Sequence, residues 1–386
     1  MAKEKAEKAE KELSTMEDIW DEVESLYGKD EMDDVSVSKA IVSSGSYALD
    51  DALGCWGLLG GRIIQFAGKE SSGKTLMALA AIKEWQALSP RNWALFIDCE
   101  FTLDLNWAAT LGVDTSEKRL KVWKINDGEK IFERLYGVPH KEPGKPKVKP
   151  GLLDIVKRAG GAEKSGLGLI VLDSIVAIQV PLEMASGVGK NNMALMARFL
   201  PPVLRKITPL LSETGVSLIS INQIRLNPGQ LFGNPETVPG GSCWKHYCSV
   251  MVHFTPLTGK ESKILDENET QIGHTVLSKI TKNKGGPPFR TCNFNIEYLK
   301  GVVDKHIEIG ELAIKYGVIA RPTKRLFIYK EYEWDGKNAF HKALKEEYDK
   351  GGNNLVMEML EEVKKAKAAG VQVREAKESG EDFPEE

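Results

Sequence analysis

The sequence predicts an α/β protein built on a mainly parallel sheet flanked by helices, and three observations carry that prediction. Apolar strand-like runs recur along the middle of the chain: "GRIIQFAG", "WALFIDCE", "LGLIVLDS", "VSLISINQ" and "SVMVHFTP". Helical patterns separate the early ones, as over 75–88 and 192–211, and such alternation implies parallel pairing with helices covering the sheet. The first run passes through a glycine-rich turn, "GKESSGKT", into a helical pattern.

At 386 residues, with 42% hydrophobic and 28% charged content, the chain can hold two or three domains and a sizeable core. No apolar run approaches the roughly 20 residues that span a bilayer. The opening "MAKEKAEKAEKE" is a charge run without the apolar centre of a signal peptide. Five scattered cysteines, an odd number, read as reduced thiols of a cytoplasmic protein. In "CWKHYC", the spacing of Cys243, His246 and Cys248 does not match paired zinc ligands, so these read as helical packing residues. A net charge of −3 neither announces nor excludes nucleic acid; local basic loops would have to hold it.

In chain order, residues 1–33 read as a charged tail and a helix. Ser14 and Glu17 form a capping box and Gly28 stands where a helix would stop. Met16, Ile19, Trp20, Val23, Leu26 and Tyr27 share one face, which must pack on its own domain or on a neighbouring subunit. The main domain runs over 34–303. Its later pieces, "HTVLSKITKNK" and "RTCNFNIEYLKG", lie close together and suggest antiparallel strands added at one edge. "PHKEPGKPKVKP", Pro139 to Pro150, carries four prolines and four lysines and reads as an exposed basic loop. Residues 304–370 read as a small mixed domain, and 371–386 as an acidic disordered tail.

Gly68, Lys69, Glu70, Ser71, Ser72, Gly73, Lys74 and Thr75 match the phosphate-binding loop pattern G-x-x-x-x-G-K-[ST] between a strand and a helix. Its backbone amides turn inward around phosphate oxygens, Lys74 adds a point charge, and the Thr75 hydroxyl is placed for Mg²⁺. Asp173 ends an apolar strand, where a carboxylate can hold that metal through water. Glu100 ends "FIDCE" beside the loop and suits an attacking water, or else caps the segment that follows. Asn222 and Gln223 end another strand. An amide there can sense a γ-phosphate, and Gln223 also begins a loop, so it can convert phosphate state into loop order.

"GKESSGKT", "FIDCEFTLD", "LIVLDS", "INQIR" and "FGNPETVPGG" occur in this order, and together they resemble the RecA family of homologous-recombination proteins. The likeness runs from about Met16 to Gly301 and continues more weakly to 345. It implies a RecA-like P-loop NTPase core with an N-terminal polymerisation helix and a small α+β C-terminal domain. It further implies a DNA-dependent ATPase using ATP and Mg²⁺, which forms helical filaments on single-stranded DNA and exchanges strands with double-stranded DNA. The host cytoplasm would be bacterial or phage-infected. The other reading of the same fold is an ATP-switched DNA-coating or mediator protein without strand exchange.

Carried over by position, the resemblance gives Glu100 the water, Gln223 the γ-phosphate, and Asp104 and Trp107 the adenine. Lys282 and Lys284 would reach a neighbour's γ-phosphate. Two lysines two apart on a strand also face the same way, where they repel unless an anion sits there. DNA would be held by two loops, through Lys190, Met193, Arg198 and Arg205 in the first and Arg225, Phe232, Asn234 and Glu236 in the second. Ile19, Trp20 and Val23 would dock on the adjacent subunit, with Lys245 and His246 at the same interface. Pro201 and Pro202 fall between Arg198 and Arg205 and are expected to kink that helix.

Overall fold

The computed structural model describes residues 40–139, 148–180, 193–226, 236–237, 241–352 and 354–370, all within the compact unit Lys39–Glu386. Its main sheet has ten strands. Nine follow one path: β1 (Ile63–Gly68), β2 (Trp93–Asp98), β3 (Leu120–Lys124), β4 (Leu167–Asp173), β5 (Ser217–Gln223), β6 (Val250–Pro256), β7 (Gln271–Asn283), β8 (Thr291–Glu297) and β9 (Gly301–Val303). The spatial order is β9-β8-β7-β6-β1-β5-β4-β2-β3. From β6 to β3 every pairing is parallel, whereas β7, β8 and β9 add antiparallel. The expected parallel core with antiparallel additions at one edge is therefore present.

The main helices are α1 (Tyr47–Leu53), α2 (Lys74–Leu88), α3 (Leu105–Thr110), α4 (Gly128–Tyr136), α5 (Leu152–Arg158), α6 (Met193–Thr214), α7 (Gly241–Tyr247), α8 (Lys305–Lys315), α9 (Lys337–Asp349) and α10 (Leu355–Ala368). The central strands are apolar almost throughout because both their faces are covered. Ile64, Phe66, Phe96, Val171 and Ile221 pack with Met77, Ile82 and Trp85 of α2. On the other face Ile63, Leu95, Ile170 and Leu218 meet Phe132 of α4, Leu153 of α5 and Leu200, Leu204 and Ile207 of α6.

Helix α6 runs from Met193 to Thr214 through Pro201, Pro202 and Pro209, so the prolines expected to kink it do not end it. Prolines at these positions cannot donate to the carbonyls of Ala197, Arg198 and Arg205. The buried stripe of Leu200, Val203, Leu204, Ile207 and Leu211 holds the helix through the missing bonds. In "CWKHYC", Trp244 and Cys248 are buried and Cys243 half-buried, as packing residues, whereas His246 is exposed. The ends of the lysine and proline stretch pair, Val138–Pro139 against Val148–Lys149; 140–147 lie outside the described residues. So do the N-terminal tail and helix and the acidic end.

Residues 305–368 form α8, a hairpin (Leu326–Tyr329, Tyr332–Asp335), α9 and α10 around Ile309, Phe327, Phe340, Leu344 and Met359. Buried Asp51 of α1 fastens them to the sheet, accepting from Lys315 Nζ at 2.7 Å, Lys367 Nζ at 2.6 Å and the Tyr316 hydroxyl at 2.7 Å.

Candidate functional site

Four neighbouring parallel strands, β1, β5, β4 and β2, end at one sheet edge, and each delivers one element of the site. β1 ends at Gly68 and opens the loop. Gly73 has φ 85° and Ser71 φ 57°, left-handed values that glycine adopts without strain. A Cβ on Gly68 would lie 2.4 Å from Ser72 Oγ and 2.5 Å from the Phe254 carbonyl, so only glycine fits there. The loop feeds α2, whose first amides are open and favour an anion. Lys69, Glu70 and Ser71 are exposed and Ser72 is buried. The buried Lys74 ammonium donates to the Lys69 carbonyl at 2.6 Å. Burial lowers its pKa, opposed by Asp173, Glu100 and Glu70.

β4 brings Asp173 to Thr75, whose Oγ1 donates to Asp173 Oδ2 at 2.8 Å. Burial pushes the Asp173 carboxyl up to about 6; the Thr75 hydrogen bond opposes the rise and the charge of Glu100 adds to it. A hydroxyl and a buried carboxylate held together are hard oxygen donors that suit Mg²⁺, and a cation there would keep Asp173 ionised. These residues fit the metal.

The strand expected to end on Glu100 ends at Asp98. Buried Asp98 accepts from the amides of Thr102 at 3.2 Å and Leu103 at 3.1 Å, so it, not Glu100, caps the following segment. Glu100 is half-buried and accepts a short hydrogen bond from Ser174 Oγ, one residue past Asp173. Sequence reading missed both: Asp98 because the strand stops two residues before its apolar pattern suggests, and Ser174 because its contact with Glu100 joins strands adjacent only in space.

Gln223 is the register partner of Gly68 across β1 and β5, and Asn222, buried, pairs with Ala67. The Ile224 amide donates to the Gly68 carbonyl at 3.2 Å. Immediately beyond, Arg225–Leu226 pairs antiparallel with Glu236–Thr237, so the flanks of the second loop close into a ribbon. Phe232 and Asn234 lie outside the described residues, as do Lys190, Ile19, Trp20 and Val23. Met193 opens α6, and Arg198 and Arg205 are exposed two turns apart on it.

A cavity of about 350 Å³ beside the loop is lined by Ser71, Gly73, Thr75, Trp107, His274 and Tyr298, among others. Asp104 caps α3 by accepting from the amides of Asn106 at 2.7 Å and Trp107 at 3.3 Å, and so aims the helix that carries Trp107. Trp107 Nε1 donates to the Tyr298 carbonyl at 2.8 Å. His274, Ile296 and Tyr298, also lining residues, had no local signal in the sequence. They come from the antiparallel strands far along the chain.

The lysine pair needs a correction. β7 ends at Asn283, so Lys284 stands one residue past the strand. Lys282 Nζ donates to the carbonyls of Lys245 at 2.7 Å and His246 at 2.9 Å, at the C-terminal end of α7. Burial lowers the Lys282 pKa, and the charge of Lys284 lowers it further. On α7, Trp244 Nε1 donates to Ser220 Oγ at 3.2 Å, three residues before Gln223 on β5.

A phosphate-binding loop, a threonine–aspartate pair and a glutamate at the carboxyl edge of this sheet define a P-loop nucleotide-binding protein. The family model described as RecA N-terminal domain matches residues 14–136 and 151–303. The chain belongs to the RecA family, and its core is RecA-like. It is 34% identical over 331 residues to Protein RecA of Leptospira biflexa, covering 83% of this chain and 77% of that one. Protein RecA of Mycobacterium sp. (strain KMS) is 34% identical over 333 residues, covering 85% and 86%. A crystal structure of the RadB recombinase aligns at TM-score 0.45 and 16% identity, over 68% of this chain and 98% of that one, too distant to add to the assignment. The family match steps over 137–150, which contain the lysine and proline stretch. Among the described residues no helix is long and apolar enough to cross a membrane.

Proposed function

We propose that this chain is an ATP-dependent recombinase that forms helical filaments on single-stranded DNA and catalyses homologous pairing and strand exchange. The observation that carries the reading is the pairing of Gly68 with Gln223, with the ribbon at Arg225 immediately beyond. It puts the phosphate loop and the root of the second DNA loop on adjacent strands.

Gly68 to Thr75 bind the triphosphate, and the amides at the start of α2 with Lys74 offset its charge. Thr75 and Asp173 would hold Mg²⁺, which would add charge neutralisation at the phosphate oxygens. Glu100 orients and deprotonates the attacking water, steadied by Ser174. Trp107 and Tyr298 border the cavity that would take the base, with Asp104 at the root of α3. Gln223 senses the γ-phosphate and passes its presence to the ribbon. Arg198, Arg205 and Arg225, with Lys190, Met193, Phe232, Asn234 and Glu236, contact DNA backbone and bases. Lys282 and Lys284 serve the nucleotide of the neighbouring subunit, on which Ile19, Trp20 and Val23 dock near Lys245 and His246.

The test is ATP hydrolysis with and without single-stranded DNA, beside Glu100→Gln, followed by exchange with a matched and an unmatched duplex. DNA should stimulate hydrolysis, Glu100→Gln should lower the rate by about 10²–10⁴-fold, and only the matched duplex should exchange. ATP-dependent coating of DNA without any exchange would instead indicate an ATP-switched coating protein of the same fold.

A further inference from the structure

Another cavity, of about 220 Å³, lies between α8 and the antiparallel strands β7, β8 and β9. Asp304, Ile307, Glu308, Glu311, Leu312 and Lys315 line it at helical spacing, so one face of α8 forms a wall. Thr275 and Asn295 line it from the sheet and are register partners, one rung on from His274 and Ile296. Successive side chains of a strand point to opposite faces. This cavity and the one beside the phosphate loop share no lining residue.

Its charge is unbalanced. Glu308 is only 8% exposed. Its Oε2 accepts from Ser46 and Ala48, but its Oε1 is buried and has no hydrogen-bond partner. Asp304 is held in place by Asn295, whose Nδ2 donates to its Oδ2 at 2.9 Å, and Asn295 is held by the Thr275 hydroxyl at 2.8 Å. The neighbouring ammonium groups are engaged elsewhere, Lys305 with Glu84 and Lys315 with Asp51, each at 2.7 Å. Lys337 reaches Glu311 at 3.3 Å. A buried carboxylate without a counter-charge is costly, and a cation entering the cavity supplies one. Among the described residues no acidic, histidine or cysteine side chains converge as a metal site. Much of the wall is apolar, with Phe294, Val303, Ile307 and Leu312, so the cation that fits carries its charge on an aliphatic stem. Glu308 and Glu311, three apart on one helix face, stand about 5–6 Å apart at their Cβ atoms. Two ammonium groups joined by a short methylene chain match that spacing.

We propose that this cavity binds a linear aliphatic diamine or polyamine. One ammonium donates to Glu308 Oε1, the next lies toward Glu311 or Asp304, and the methylenes rest on Ile307, Leu312 and Val303. The bound amine joins α8 to the sheet at a second place, beyond the bonds that Asp51 makes to Lys315 and Lys367, and so fastens the start of the C-terminal segment.

The experiment titrates 1,4-diaminobutane calorimetrically into the full chain at pH 8, without nucleotide or DNA, beside 1,4-butanediol, which has a similar shape and no charge. The diamine should bind saturably at one per chain and the diol should not. Two substitutions test the place. Glu308→Gln removes the charge, and Asn293→Trp fills the cavity from an exposed lining position while leaving every carboxylate intact. Each should weaken diamine binding by about tenfold or more, the factor that accompanies loss of one hydrogen bond to a charged group. Hydrogen exchange over 305–315 should slow when the diamine is added to the unaltered chain and should not respond in either variant. Absence of saturable binding, equal binding of the diol, or exchange that does not slow overturns the proposal. Diamine binding that survives either substitution overturns it as well, since that is how a diffuse acidic surface would behave.

Discussion

Gly68 and Gln223 stand opposite each other at the ends of two adjacent parallel strands, and the carbonyl of Gly68 accepts the amide of the residue after Gln223. The first glycine of the phosphate loop and the last residue before the second loop thus share one rung of the sheet. A change at the phosphates has a path of one hydrogen-bonded pair to the Arg225 ribbon.

Gln223→Ala should therefore uncouple rather than disable. Nucleotide affinity should stay near that of the unaltered chain, while the ATP-induced gain in single-stranded DNA affinity should fall by about 5-fold or more. Parallel titrations of nucleotide and of DNA check this, and an equal loss in both would mean that Gln223 only supports the fold.

The Thr75–Asp173 contact should matter only when a divalent cation is present. Thr75→Val removes the hydroxyl and should weaken Mg²⁺-nucleotide binding by about 10–100-fold, by analogy with other groups that orient metal ligands. Fluorescent-nucleotide titrations in Mg²⁺ and in EDTA test it: the two proteins should differ in the first and agree in the second.

Glu308 of α8 is buried, and its Oε2 accepts from Ser46 Oγ at 3.0 Å and the Ala48 amide at 2.9 Å. Burial pushes its carboxyl from 4.5 up to about 7, against those two bonds and the charge of Lys305. Between these values the folded chain binds more protons than the unfolded chain, so stability falls as pH rises from 4.5 to 7 and levels off above. Glu308→Gln should remove that slope and gain on the order of 1–3 kcal/mol at pH 8 but little at pH 5. Urea midpoints at the two pH values decide it, and an equal offset at both would rule out titration of Glu308 as the cause.

Asp51→Asn should loosen residues 305–368 from the sheet. It leaves Lys315 and Lys367 facing a neutral amide, at a cost of about 1.5–3 kcal/mol for a hydrogen bond to a charged group. Limited proteolysis should then release the C-terminal segment sooner, while nucleotide affinity at the distant loop is retained.

Much of the site was legible because its signals are local. The loop from Gly68 to Thr75 is spelled by backbone requirements within eight residues, and Asp173 and Gln223 end runs apolar enough to mark strands buried on both faces. The prolines of α6 remove three backbone donors within one helix, and a buried stripe of leucine, isoleucine and valine carries the helix across them. The cap that Glu100 might have served belongs to Asp98, two residues earlier, since the strand stops sooner than its apolar pattern suggests.

The sequence by itself determined the class of sheet, the phosphate loop and the residues brought to its edge, because period, glycine placement and strand endings act over a few residues. Only the tertiary structure decided that Ser174 steadies Glu100, that His274 and Tyr298 wall the cavity, and that Lys282 closes α7. Those contacts join strands distant along the chain, and no short-range pattern encodes which strand ends beside which. Packing of the whole sheet makes that choice.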